Sequence, residues 1–96
     1  MARKTINRSS VIVVSDIKDD STRDEFRKLM LEKLSSEVRT ESVYEFVYNS
    51  SKMNWNDIIT KIEDIINERT DTVYLWDVAK PTGKEKYELY RTKIGK

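Results

Sequence analysis

The 96-residue chain has no cysteine and no histidine, one proline and two glycines. Without cysteine there is no disulfide framework and no thiolate metal site. Without histidine the imidazole ligands and bases are missing too, so zinc chemistry of the usual kind and every Ser-His or Cys-His mechanism drop out. No stretch approaches the roughly 20 apolar residues that cross a bilayer. The segment from Met1 to Ser10 is basic and polar, with no signal-type apolar region after it. A cytoplasmic protein without a membrane partner is expected.

Charged residues make up 36% of the chain and hydrophobic ones 38%, which predicts a thin core inside a heavily charged exterior. The length suits one domain able to fold around a single core. A domain with so little core gains by pairing. The net charge of +1 is unevenly spread. Residues 1–10 hold Arg3, Lys4 and Arg8 and no acid, residues 80–96 hold six bases and two acids, and the body between them carries −6. Basic segments flanking a globular body are one way to bind phosphates, because each neutralised phosphate releases counterions. They are equally read as solvated ends.

The run Val11, Ile12, Val13, Val14 is β-branched throughout and too short for a helix, which predicts a central strand buried on both faces. Thr22 and Glu25 have capping-box spacing, and Phe26, Leu29, Met30 and Leu34 follow at helical spacing up to about Ser35. From Val38 to Tyr48 the pattern alternates, with Val43, Glu45 and Val47 on one side and Tyr44, Phe46 and Tyr48 on the other, and a break is expected near Thr40 or Glu41. Asn54 caps a second helix whose stripe is Trp55, Ile58, Ile59, Ile62, Ile65 and Ile66, with Asp57 near its positive end. Thr72 to Val78 reads as strand, with Tyr74 and Trp76 opposite Val73 and Leu75. Pro81, Thr82 and Gly83 make a turn. Weak alternation at Tyr87, Leu89 and Arg91 leaves the tail as an edge strand, a swapped strand or a basic arm.

This order is the split βαβ pattern of an α+β, ferredoxin-like βαββαβ sandwich, with both helices on one face of an antiparallel sheet. The expected organisation is a basic arm over residues 1–9, the ferredoxin-like domain over 10–79 and a basic segment over 80–96. The sheet face without helices is expected to carry Tyr44, Phe46, Tyr48, Tyr74 and Trp76, although sequence does not say which face the helices take. Such a patch is core, a dimer interface or a base-stacking platform. The platform is the weakest of these, since the Gly-Phe-Gly or Gly-Tyr-Gly core of such modules is absent.

Asp16 directly follows the first strand, at the rim of the sheet. The stretch Asp16-Ile17-Lys18-Asp19-Asp20 places three carboxylates within five residues, a composition suited to an oxygen-loving cation such as magnesium. Acidic loops after strands are more often solvated turns or capping segments, so local pattern alone assigns no catalysis.

The stretch from Val11 to Ile17, then Asp19-Asp20 and Thr22-Arg23, together with Ser42-Val43-Tyr44-Glu45, resembles the opening strand, aspartate, helix start and Ser-Val-Phe-Glu strand of the CRISPR-associated Cas-two family. The resemblance spans about residues 11 to 78. Ser15 stands where the family usually has tyrosine, and Ser35, Ser36 and Glu37 where it often has glycine. The resemblance implies a homodimer that bridges two copies of a Cas-one integrase and holds duplex DNA during acquisition of new spacers, with RNA as a second candidate ligand. Some members are described as metal-dependent nucleases in which aspartates of two protomers meet. On that basis Asp16 is the implied catalytic and Mg2+-binding residue, and Arg23 and Arg39 are the implied nucleic-acid contacts. Two other readings compete: a ribonuclease toxin resembling the VapD family, and a non-catalytic nucleic-acid-binding module.

Overall fold

The computed structural model describes residues 8–79 and 88–96. The elements are β1 (Arg8–Asp16), α1 (Asp20–Lys28) running into a π-helical turn (Leu29–Lys33), β2 (Glu37–Val38), β3 (Val43–Asn49), α2 (Trp55–Ile65), β4 (Thr72–Ala79) and β5 (Glu88–Gly95). The expected break between two strands falls at residues 39–42. The tail from Glu88 to Gly95 is an edge strand. The turn expected at Pro81, Thr82 and Gly83 and the segment 1–7 of the basic arm lie outside the described residues.

The sheet has the order β2-β3-β1-β4-β5, and every pairing is antiparallel. This is the ferredoxin-like arrangement with β5 added beside β4. The β-branched run of β1 takes the centre because only a strand paired on both edges and packed on a face uses so much apolar surface.

Register fixes the faces. Val13 lies opposite Tyr44 of β3 and Leu75 of β4, whereas Val14 lies opposite Val43 and Tyr74. Val11, Val13, Tyr44, Phe46, Val73, Leu75 and Ile94 are buried beneath Phe26, Leu29, Met30, Leu34, Ile58, Ile62 and Ile66 of the helical layer. Each fully buried aliphatic or aromatic side chain stabilises the fold by about 1.5–3 kcal/mol.

Three expectations are corrected by the structure. The aromatic residues are divided between faces: Tyr44 and Phe46 lie under the helices with Tyr48 packed beside them, and only Tyr74 and Trp76 lie on the open face, since a residue paired with Val14 cannot share a side with one paired with Val13. β1 is covered on one side alone, for Val11 and Val13 are 0% exposed while Ile12 is 36% exposed. The first helix is capped by Asp19 rather than Thr22: the Asp19 carboxylate accepts the Thr22 backbone N–H at 3.1 Å, satisfying an amide that the first turn leaves without a partner.

The second helix starts as its sequence indicates, with the Asn54 side chain accepting the Asp57 N–H at 3.1 Å. The first helix ends in the π-helical turn, followed by Ser35 at φ 52°. The Ser36 N–H reaches back to the Met30 carbonyl at 2.9 Å, closing the helix in the manner of a Schellman cap.

Candidate functional site

Alternation along β1 puts Asp16 on the open side of the sheet, in line with Ile12 and Val14, at the end where the chain leaves for α1. Beside it lies a cleft of about 260 Å³ lined by Ser15, Asp16, Ile17, Arg23, Asp24, Arg27, Glu41, Ser42 and Tyr44. The cleft therefore joins the β1 end, the first turns of α1 and the loop before β3. Ser15 ties the wall together: its N–H donates to the Ser42 carbonyl at 2.8 Å and its hydroxyl donates to the same oxygen at 3.1 Å.

The carboxylates of the acidic stretch do not converge. Asp16 is held by its own neighbour, with Lys18 Nζ donating to both of its oxygens at 3.0 and 3.1 Å. Asp19 is spent on the helix cap; hydrogen bonds from the Ser21 hydroxyl and the Thr22 N–H hold its carboxyl below the usual aspartate value. Asp20 pairs with Arg23. Among the described residues no group of three His, Cys, Asp or Glu side chains could hold a metal ion. Asp24 and Glu41 also line the cleft, but Asp16 is already paired with an ammonium group and the carboxylates of one chain form no cluster that fits a divalent cation.

Arg23 lines the cleft with Asp16, and its guanidinium is braced by Asp20 and by the Ile17 carbonyl at 3.1 Å. Arg39 is elsewhere. It stands on the β2–β3 edge between Glu37 at 2.7 Å and Glu45 at 2.9 Å. The Glu45 hydrogen bond, then the charges of Glu37 and Glu45, raise its pKa above the ordinary arginine value. Arg39 is therefore largely neutralised by its own strand neighbours. Tyr44 is a packing residue, 3% exposed and set edge-on to Phe26 with ring centroids 5.8 Å apart.

Three residues of the site were not singled out from sequence. Arg27 lines the cleft one helical turn after Arg23, and the i, i+4 spacing was the available signal. Lys18 was visible only as a base within an acidic run. Arg91 lies on the open face with its guanidinium carbon 5.5 Å from the Tyr74 ring centroid and 5.8 Å from that of Trp76, a cation–π arrangement that only the β4–β5 register reveals.

The open face carries Ile12, Val14, Val43, Val47, Tyr74 and Trp76, with Val47 57% exposed. Its β3 side is acidic through Glu45, and its β5 side basic through Arg91 and Lys93. Among the described residues no helix is long and apolar enough to cross a membrane.

No curated protein matches the chain, and no solved structure does. A family model does: that of CRISPR associated protein Cas2, over residues 9–85. The match covers both helices, all of β1 but Arg8, β2 to β4, the Asp16 cleft and the Ser42-to-Glu45 strand start. The chain belongs to the Cas2 family of CRISPR associated proteins.

Proposed function

We propose that the protein is a homodimeric subunit of the CRISPR spacer-acquisition machinery that holds the backbone of duplex DNA and bridges Cas-one integrase subunits. The family supplies the CRISPR role. The observation that carries the dimer is the sheet face left uncovered among the described residues, whose Ile12, Val47, Tyr74 and Trp76 a second copy would remove from water.

Geometry favours one way of stacking. A two-fold axis parallel to the strands sets the Glu37 and Glu45 side of one sheet over the Arg91 and Lys93 side of its partner. Since β1 is the central strand, the same axis stacks the two β1 strands and brings both Asp16 ends to one end of the dimer. An axis across the strands would separate them and oppose like charges.

Duplex contact is assigned to Arg23 and Arg27, which line the cleft, acting as point contacts to phosphates without base readout. Hydrolysis is the second reading, and it rests on the juxtaposition of two Asp16 carboxylates, because one chain supplies too few ligands for Mg2+. Titration of a fluorescent duplex at several salt concentrations tests the first reading. Arg23→Ala and Arg27→Ala should each flatten the log–log salt slope by about 0.9, the value of one lost phosphate contact. Slopes unchanged in both variants would remove the cleft from the binding surface. Asp16→Asn should keep the duplex affinity, and it should abolish metal-dependent cleavage if the second reading holds.

A further inference from the structure

The Asp71 side chain is charged and buried, at 1% exposure. Burying a carboxylate is costly unless its oxygens are satisfied, and here they are. Oδ1 accepts the Lys18 backbone N–H at 3.0 Å and the Thr70 hydroxyl at 3.1 Å, while Oδ2 accepts the Asn67 N–H at 2.9 Å. Its main chain is engaged on another side. The Asp71 carbonyl accepts the Lys96 N–H at 2.9 Å. Gly95 packs so closely on that carbonyl that a Cβ there would lie 2.2 Å from the oxygen, at a φ of +90° that favours glycine.

One residue therefore joins three distant stretches: the β1–α1 loop through Lys18, the α2–β4 turn through Asn67 and Thr70, and the end of β5 through Gly95 and Lys96. Lys18 is also the residue whose ammonium group holds Asp16. The path from the end of β5 to Asp16 runs through the main chain of Asp71, its carboxylate, the backbone of Lys18 and the side chain of Lys18.

We propose that Asp71 is a positioning residue that couples the end of β5 to the Asp16–Lys18 loop, so that a displacement of the β5 end is felt at the rim where Asp16 stands. The functional weight of this coupling rests on the reading of Asp16 given above; the coupling itself does not. A partner that draws on β5 would thereby alter the placement of Asp16 without touching it. The competing description is a local turn staple, in which Asp71 closes the Asn67–Asp71 turn while the two loops move independently.

Amide hydrogen exchange on the full chain separates these. The Lys18 N–H donates to Asp71, so its protection reports the coupling directly. Asp71→Asn leaves only one acceptor oxygen for two backbone donors and should raise Lys18 exchange by ~10-fold. Gly95→Ala, which acts only at the β5 end, should also raise it, and Gly95→Ala should have no added effect at Lys18 in the Asp71→Asn background. Should Gly95→Ala fail to fold, deletion of Lys96 removes the same carbonyl contact more gently and should give the same sign. Unchanged Lys18 protection in the β5-end variant, with the fold intact, would overturn the coupling, as would full additivity of the two substitutions. No nucleic acid enters this measurement, so the coupling and the duplex-binding reading fail separately.

Discussion

As pH falls, the Asp71 carboxylate resists protonation in the folded chain. Burial pushes its pKa up, but hydrogen bonds from Asn67, Lys18 and Thr70 more than offset that, leaving it below the ordinary aspartate value. The unfolded chain, with an Asp pKa of about 3.9, then takes up a proton before the folded chain does. Stability contributed by Asp71 is thus fully present above that value and lost as pH drops through the folded pKa. Urea midpoints should fall from about pH 5 to pH 3, a window set by that pKa, and fall less steeply in Asp71→Asn, which starts lower at neutral pH. Parallel curves for the two proteins would remove Asp71 from the acid response. Its sequence position, after Asn67-Glu68-Arg69-Thr70 in a polar turn, gave no sign of burial. The carboxylate goes under with two local donors, Asn67 and Thr70, and a third that sequence does not show, the backbone N–H of Lys18, 53 positions away. Asp16 was legible because it ends an unmistakable strand, whereas its pairing with Lys18 depends on how the loop turns.

At the scale of elements, the helices and the inner strands follow their periodicity, and the departures have local causes. Asp19 displaces Thr22 as cap because its carboxylate is a better acceptor for the Thr22 amide than a hydroxyl one turn later would be for its own. The π-helical turn after Lys28 keeps Leu29, Met30 and Leu34 buried, so the apolar spacing gave no warning of it. Which face of β3 lies under the helices was illegible, because both faces carry apolar residues and only the pairing of Val13 with Tyr44 decides between them. β5 looked weak because, as an edge strand, it needs little apolar surface, with Ile94 its buried anchor. Ser35 offers a test at this level. A left-handed residue with a Cβ costs roughly 1–2 kcal/mol, part of which glycine loses again through unfolded-chain entropy. Ser35→Gly should stabilise the protein by about 0.5–1 kcal/mol, read from the urea midpoint. A destabilised variant would mean that the Ser35 side chain contributes to the cap.

The whole molecule is a one-sided sandwich. Among the described residues the helices cover one face of the sheet, and the other face shows apolar and aromatic residues between an acidic and a basic flank. Sequence composition already suggested pairing, since so thin a core gains from a partner, and the aromatic residues suggested where. What composition could not supply was the division of those aromatics or the charge gradient across the open face, both products of strand register. The central claim is that a second copy covers this face. Sedimentation equilibrium of the wild-type chain and of Ile12→Lys, which places a charge in the middle of the open face while leaving the helix-covered core untouched, tests it most directly. At tens of micromolar, a typical working range for such interfaces, the account predicts twice the chain mass for the wild type and the single chain mass for Ile12→Lys, with the variant's circular dichroism unchanged. A monomeric wild type, or a folded Ile12→Lys that remains dimeric, would contradict it.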